Sequence, residues 1–377
     1  MKIPNWLRVG KRRAVAALKT SRERIVLRGI APAVLSYPPQ SQTESNADGT
    51  PPAYLITRYA YHAKDASMGE SIEKFTLDNT LIAAGLGQVE NYLWEIDWRP
   101  FPRGDWALLE KIRAVKPKAI ILSSYDPGYP LQPAVETIRL LRTVWKIPII
   151  AMWWDTCYAG FWPSIVPVLP YVDVHVVLDN PLLDFFDDGT RRQFGHRFLA
   201  LWEAMDTGIY NNPGFARDVE VAFLGQVAGY RSVRMPYVRH LLDNNVPLFC
   251  SLVNRADQPS HSDYQDVLKR TKIGLNFSQS VDSDQLKSRV FETMSCGALL
   301  MENDNPQTRR YFTPMKDYVS FDSPSDLLDK IRYFLEHEDE RIEIAARGEE
   351  KIRTEFDAAH FWNAVTDKLE AVKHLPL

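Results

Sequence analysis

The stretch Asp284–Asn303, DQLKSRVFETMSCGALLMEN, reads as an acid, two cations, a short amphipathic run carrying Glu292, a Cys-Gly stop and a small apolar strand. Ser288 is placed to cap a helix that runs to about Cys296, with Gly297 as the residue that ends it. Helix, glycine and apolar strand in that order form the second half of a strand–helix–strand unit. The same alternation runs along the chain on both sides.

Before this stretch, AYLITRYA, a helix through Phe75–Ala84, QVENYLWEI, a helix Trp106–Val115, KAIILSS, a helix Ala134–Val144, IPIIAMWW and VDVHVVL follow one another. After an irregular segment at 186–218 the pattern restarts with VEVAFLG, a helix Val233–Asn244, PLFCSL, a helix Tyr264–Arg270 and IGLNFS. ALLMEN, YVSF and three helices, Pro324–His337, Asp339–Phe356 and Ala358–Lys373, close the chain. Strands that are apolar throughout and separated by helices belong to parallel sheets covered on both faces. The fold class is α/β, with two Rossmann-like, doubly wound parallel-sheet domains facing a cleft. The expected division is a basic arm at 1–35, a Pro- and Ser-rich linker at 36–53, a first domain at 54–215 and a second at 216–377.

At 377 residues, with 45% apolar and 25% charged residues, the composition is that of a water-exposed globular protein. No run of eighteen apolar residues occurs, so no membrane-spanning helix is expected. Cys157, Cys250 and Cys296 are widely spaced and the histidines form no HExxH cluster. Neither a disulfide framework nor a protein-bound metal is expected, and the compartment is reducing. The net charge of −3 is unevenly spread: residues 1–28 carry +8 and the rest −11. That arm lacks the apolar core of a signal peptide. With Trp6, Leu7, Val15 and Leu18 it is either a basic helix for an anionic membrane surface or an arm packed on the body. The expected location is cytoplasmic, peripheral at the inner membrane face if the arm binds lipid. No nucleic-acid partner is expected.

The opening stretch also carries chemistry. A helix start offers free N–H groups and partial positive charge to a phosphate, and Lys287 and Arg289 add full charges there. Glu292 is suited to accept hydrogen bonds from ribose hydroxyls. Together they suit a nucleoside diphosphate; the alternative is a surface helix whose charges pair with one another.

SRVFETMSCGALLMEN, followed by YFTPMKDYVSF and the helical run to Phe356, resembles the carboxyl-terminal domain of GT-B-fold glycosyltransferases, closest to the branch of the spore-maturation protein CgeB. The likeness covers roughly residues 220–357. It implies a glycosyl transfer from a nucleotide diphosphate sugar to an acceptor hydroxyl on a glycan or lipid-linked saccharide. It further implies retention of configuration, with no cofactor. Many retaining members carry two glutamates with seven residues between them. Glu292 takes the second position, which holds the donor ribose, and Asp284 stands where the first glutamate would be. The resemblance also implies that the loop at Gly225, in VAFLGQVAGYRSVR, approaches the donor phosphates. Arg231 or Arg234 supplies charge there or sits on the helix surface.

Asn276 and Ser278, in NFSQS, end a strand facing the cleft and either line the nucleotide pocket or satisfy backbone groups. In AMWWDTCYAGFWP, Asp155 is an acceptor-facing base or a helix cap. His62 and Glu70, in RYAYHAKDASMGES, follow the first strand where the acceptor enters such enzymes; a structural histidine is the alternative. Asp282–Asp284, DSD, precedes a helix late in the second domain, the wrong place for a metal-binding DxD motif. Within the same fold the rival functions are a nucleotide-sugar epimerase and a non-catalytic nucleotide-sugar-binding module.

Overall fold

The computed structural model describes residues 53–99, 102–127, 132–154, 156, 162–178, 186–227, 229–250, 259–278 and 284–375. The basic arm, all but the last residue of the linker, and Asp155 lie outside them. Eleven strands among the described residues form two sheets, and every pairing is parallel.

The first sheet contains β1 (Ala53–Arg58), β2 (Gln88–Leu93), β3 (Ala119–Ser123), β4 (Ile149–Trp153), β5 (Val174–Val177) and β6 (Phe198–Ala200), in the order β2-β1-β3-β4-β5-β6. Every residue of β3 and β4 is buried, which is why AIILS and IIAMW are apolar almost without interruption. The second sheet contains β7 (Val219–Phe223), β8 (Leu248–Cys250), β9 (Thr271–Asn276), β10 (Leu299–Asn303) and β11 (Val319–Phe321), in the order β11-β10-β9-β7-β8. Strand order reverses between β1 and β3 in one sheet and between β7 and β9 in the other. Such reversals open a crevice beyond the carboxyl ends of the strands.

The longer helices are α1 (Arg103–Val115), α2 (Val135–Thr143), α3 (Met235–Asp243), α4 (His261–Arg270), α5 (Ser288–Ser295), α6 (Pro324–Glu336), α7 (Glu338–Glu355) and α8 (Ala358–Val372). Three of them begin at side-chain caps: Ser260, Ser323 and Asp357 accept from the backbone N–H of Asp263, Asp326 and His360. The cap expected at Ser288 is not formed. Lys287 occupies the N-cap position, Ser288 is the first helical residue, and no side chain bonds the free N–H groups.

Two elements differ from the sequence expectation. The helix after β1 contains a π-helical stretch, Lys74–Asn79, that buries Thr76, Leu77 and Asp78. The segment read as irregular holds a helix, Asp188–Phe194, and the three-residue edge strand β6.

The last helix, α8, returns to the first sheet. Phe361, Trp362, Val365, Leu369 and Val372 join the core that contains Tyr54, Ile56, Leu77, Leu81, Val174 and Val176. Trp362 Nε1 donates to Thr80 Oγ1 at 2.9 Å, and Arg142 reaches the Lys373 carbonyl at 3.4 Å. A further contact ties the lobes together, the Gln285 amide donating to the Trp154 carbonyl, while within the first lobe Asn79 Nδ2 donates to Asp206 Oδ2 at 2.7 Å.

Candidate active site

A cavity of about 540 Å³ lies between the two sheets. Its walls begin where strands end. Tyr59 follows β1, Ser124 follows β3, Trp154 follows β4, Leu178 follows β5, and Leu224 and Gly225 follow β7. These positions surround the reversal points of both sheets, so the cavity occupies the place the topology prescribes.

The wall supplied by the second sheet is rich in cations. Arg231, Arg234, Lys287 and Arg289 all line it, with Glu292 among them. Glu292 lies one turn into α5 and is 3% exposed. Its Oε2 accepts from the Tyr264 hydroxyl, which α4 carries across the cavity floor. Burial pushes the Glu292 carboxyl above its ordinary range, offset in part by the Tyr264 hydroxyl and the Arg289 charge. Tyr210 stands close enough for the Glu292 charge to raise its phenol further, although burial is the main cause. Arg289 lies over the Phe223 ring at 5.8 Å, and its Nη1 contacts Asn276 Oδ1 at 3.4 Å.

Gly225 matters for space. A Cβ there would stand 3.0 Å from Phe223 Cζ and 3.2 Å from Arg289 Nη1. The missing side chain leaves the guanidinium its place beside the loop. Arg234 Nη1 donates to the Gln226 carbonyl at 3.1 Å and so braces the same loop.

The wall supplied by the first sheet is built around Glu73. Its Oε1 accepts from the hydroxyls of Ser123 at 2.5 Å and Ser124 at 2.6 Å. Its Oε2 accepts from Tyr59 N at 2.9 Å and Ser71 Oγ at 3.3 Å. Burial raises its carboxyl pKa, and these donors, with the Arg58 charge, pull the other way. Arg58 pairs with Asp78 at 2.7 Å in the buried layer below and donates to the Tyr59 carbonyl at 2.9 Å. Tyr59 is therefore held at both its N–H and its C=O, and Glu73 is committed to holding the wall.

His62 and His261 meet across the cavity with ring centroids 6.4 Å apart. His261, from α4, stacks on Phe75 of the first lobe at 4.6 Å. Burial lowers the pKa of His62, and burial with the neighbouring His62 lowers that of His261 to about 4. Both imidazoles are neutral at pH 7.

The sequence-derived candidates divide by place. Gly225, Arg231, Lys287, Arg289, Glu292 and His62 meet at the cavity. Glu70 does not: it is exposed and ion-paired with Lys74 at 2.5 Å, while Glu73, nearly one turn later, is the carboxylate in the wall. Asn276 and Ser278 lie behind the wall, fully buried around Glu302. Asp284 is also set off the cavity, and its carboxyl pKa is raised by burial and by Asp304; the neighbouring Gln285 lines the cavity instead. Glu73, Glu203, Tyr210, His261 and Tyr264 were not singled out from sequence. Their roles come from contacts between distant segments, and only the Ser260 cap gave a local signal for the helix that carries two of them.

Among the described residues no group of three or more His, Cys, Asp or Glu side chains could hold a metal ion, and no helix is long and apolar enough to cross a membrane.

No curated protein sequence matches the chain. Residues 221–367 match the family model described as "Glycosyl transferase-like". Among solved structures, HepE from Anabaena in complex with UDP and glucose aligns with a TM-score of 0.58 at 10% identity, over 84% of this chain and 99% of that one. Sucrose-phosphate synthase from Thermosynechococcus elongatus aligns with a TM-score of 0.59 at 11% identity, over 85% and 99%. The catalytic domain of starch synthase IV from Arabidopsis thaliana, bound to ADP and acarbose, aligns with a TM-score of 0.57 at 9% identity, over 85% and 100%. With two parallel-sheet α/β domains and these structural neighbours, the chain has the GT-B fold of glycosyltransferases.

Proposed function

We propose that this protein transfers a sugar from a nucleotide diphosphate sugar to an acceptor hydroxyl. The observation that carries the reading is the convergence of Arg231, Arg234, Lys287 and Arg289 with buried Glu292 on one cavity at the reversal points of both sheets. In this reading the second lobe binds the donor. Arg289 and Lys287 offset the charge that develops on the departing diphosphate, and Glu292 accepts from the ribose hydroxyls. Charge compensation by side chains makes the reaction independent of a divalent metal. The family-model match and the neighbours that bind UDP or ADP support the nucleotide-sugar reading.

The first lobe, residues 54–215 in this scheme, receives the acceptor, with α8 packed against it although it belongs by sequence to residues 216–377. His62 is a neutral imidazole on that wall and is suited to accept the acceptor proton. Asp155 stays a candidate for the same task. Glu73 replaces Glu70 as the carboxylate of this wall and acts by positioning Tyr59 and the two serines. Retention of configuration, the CgeB-like branch and a glycan or lipid-linked acceptor rest on the sequence resemblance.

The test is a thermal-shift screen with UDP-, GDP-, dTDP-, ADP- and CMP-sugars, followed by release of free nucleotide from the stabilising donor with and without acceptor fractions. A ligand of the native state raises the unfolding midpoint. A donor that stabilises the protein without releasing nucleotide under any acceptor would make it a binding module, and no stabilisation by any donor would overturn the reading.

The arm at residues 1–28, with +8 of charge, is proposed to hold the enzyme at an anionic bilayer, each engaged cation contributing on the order of 1 kcal/mol. Sedimentation with phosphatidylserine vesicles should be lost at high salt and on deletion of residues 1–35. Equal binding by the truncated chain would refute it.

A further inference from the structure

Behind the cationic wall lies a carboxylate that the proposed reaction does not use. Glu302, on β10, is fully buried. Its Oε1 accepts from Asn276 Nδ2 at 2.7 Å and from the Ser278 hydroxyl. Its Oε2 is buried without a hydrogen-bond partner. The bond from Asn276 Nδ2 fixes which way that amide points, and it leaves Oδ1 turned to Arg289 Nη1 at 3.4 Å. One amide thus separates a buried carboxylate from a guanidinium that lines the cavity.

We propose that Glu302 is a positioning residue for the phosphate end of the cavity, holding Arg289 through Asn276 and taking up a proton from solvent when a pyrophosphate dianion binds at Arg289. The inference rests on the nucleotide-sugar reading above. Its physical basis is competition for one cation. With the cavity empty, Arg289 is the full positive charge next to the Glu302–Asn276 pair. A bound pyrophosphate brings two negative charges to the other side of the same guanidinium, in an interior that screens them weakly. Keeping Glu302 ionised then costs more, and Oε2 is the oxygen free to take the proton.

Other groups also surround Glu302. From β9 come Asn276 and Ser278, both neutral; from the 304–309 loop come Asn305 and Thr308. Asp304 and Arg309 in that loop pair with each other at 2.5 Å, with both side chains half exposed, and Arg309 also acts on the Tyr318 phenol by its charge and a hydrogen bond. The Tyr318 phenol, preceding β11, is buried, and its pKa is raised by burial first and by the Glu302 charge second. Burial raises the Glu302 carboxyl to about 7, partly offset by Ser278, Thr308, Asn305 and Asn276, which places its titration in the neutral range.

The experiment has two arms. In the first, UDP-glucose is titrated calorimetrically into the full chain at pH 6, 7 and 8, in two buffers of different ionisation enthalpy. Its pyrophosphate diester does not titrate in this range. Wild-type protein should take up a fraction of a proton on binding, and affinity should fall roughly three- to tenfold from pH 6 to pH 8, a tenfold change matching one unit of pKa displacement. Glu302→Gln should bind with little pH dependence and no proton uptake. Uptake that persists in Glu302→Gln would assign it to Glu292, Glu73 or Glu203, the other buried carboxylates at the cavity, and would overturn the proposal.

The second arm needs no nucleotide. A carboxyl raised in the folded state contributes stability that is lost as pH rises through its folded value. The unfolding midpoint of Glu302→Gln relative to wild type should therefore rise between pH 5 and pH 8. Arg289→Gln removes a cation that also biases Glu292, so its effect on the profile is read in wild type and again in Glu302→Gln: the shift to higher pH should be smaller in Glu302→Gln, by the part that belongs to Glu302. If UDP-glucose fails to bind but this arm behaves as stated, the donor reading fails while the Glu302–Arg289 link stands. If Arg289→Gln shifts the profile equally in wild type and in Glu302→Gln, the link itself is refuted. Should Glu302→Gln not fold, Asn276→Ala takes its place by removing the amide between Glu302 and Arg289, and proton uptake unchanged in that variant overturns the proposal.

Discussion

Glu292→Gln separates a binding role from a structural one, because the two roles move different observables in opposite directions. Glutamine keeps the shape and one acceptor oxygen but loses the charge. In the folded protein the carboxylate accepts from the Tyr264 hydroxyl, with Arg289 close enough to bias its titration. A hydrogen bond to a charged group contributes about 1.5–3 kcal/mol and a neutral one about 0.5–1.5 kcal/mol. Replacing the ribose contact of a carboxylate by that of an amide should therefore weaken donor binding by about 1–2 kcal/mol, or roughly 5- to 30-fold in Kd.

Stability should not follow. Burial is the largest influence on Glu292 and raises its pKa, so the charged form is penalised in the folded state. Such a group contributes stability at low pH that is lost as pH rises through its folded pKa. The Gln variant does not titrate, so relative to wild type its unfolding midpoint should hold or rise as pH increases. Isothermal titration at pH 8 with the donor that gives the largest thermal shift, alongside calorimetric unfolding, reads both quantities on the same preparation. Unchanged affinity would remove Glu292 from the donor site. Affinity and stability lost together would show that the carboxylate serves only to hold Tyr264 and α5 in place.

Gly225→Ala should leave the fold intact and weaken donor affinity by on the order of 1 kcal/mol, since the added Cβ 3.2 Å from Arg289 Nη1 displaces a charged donor; titration calorimetry against wild type reads it, and full affinity would mean the phosphates do not use this loop. Gly297→Ala should instead lower stability by about 1–3 kcal/mol with little effect on donor affinity in the folded fraction. It sits at φ +69°, and a Cβ would stand 2.4 Å from Asn212 Nδ2 and 2.7 Å from Arg217 Nη2; a denaturant melt with an unshifted midpoint refutes this. Transfer activity should survive EDTA, whereas abolition with rescue by Mn²⁺ would return Asp282 and Asp284 to a metal role. The folded pKa of His261 is depressed to about 4, so the unfolded chain takes up its proton first as pH falls below about 6.5, and stability drops across that window. His261→Gln should flatten the part of the profile between pH 6.5 and 4, and an unchanged slope would assign it elsewhere.

Much of the architecture was legible because buried parallel strands are apolar on both faces, and AIILS or IIAMW has little other use. β6 was not legible: Phe198–Ala200 are apolar, but an edge strand of three residues is too short to stand out from the irregular segment around it. The site was legible where residues are fixed by the strand–loop–helix order, as at Gly225, Lys287, Arg289 and Glu292. It failed where one residue of register decides the outcome. Glu70 and Glu73 lie in the same short segment, and only the entry of the chain into a helix at Ile72 turns the second inward. Asn276 and Ser278 share one parity along an extended chain, and that parity points to Glu302 rather than to the cavity.

A better rule is available from this geometry. In a fold whose ligand cavity opens where strand order reverses, the wall is set by position after the strand, whatever the residue type. Tyr59, Ser124, Trp154 and Leu178 each stand one residue beyond a strand, and Leu224 and Gly225 stand one and two beyond β7. Chemical type then differs between these positions: glycine where Arg289 stands close by, aromatic rings and hydroxyls on the side of the first sheet. Searching first for charged residues finds the second lobe, whose side of the cavity carries Arg231, Arg234, Lys287 and Arg289. It passes over the first lobe, whose side of the cavity is lined by Tyr59, Ser124 and Trp154, with the buried Glu73 bonded to Tyr59 and Ser124. The two lobes divide as charge and shape, and a sequence advertises charge far more openly than shape.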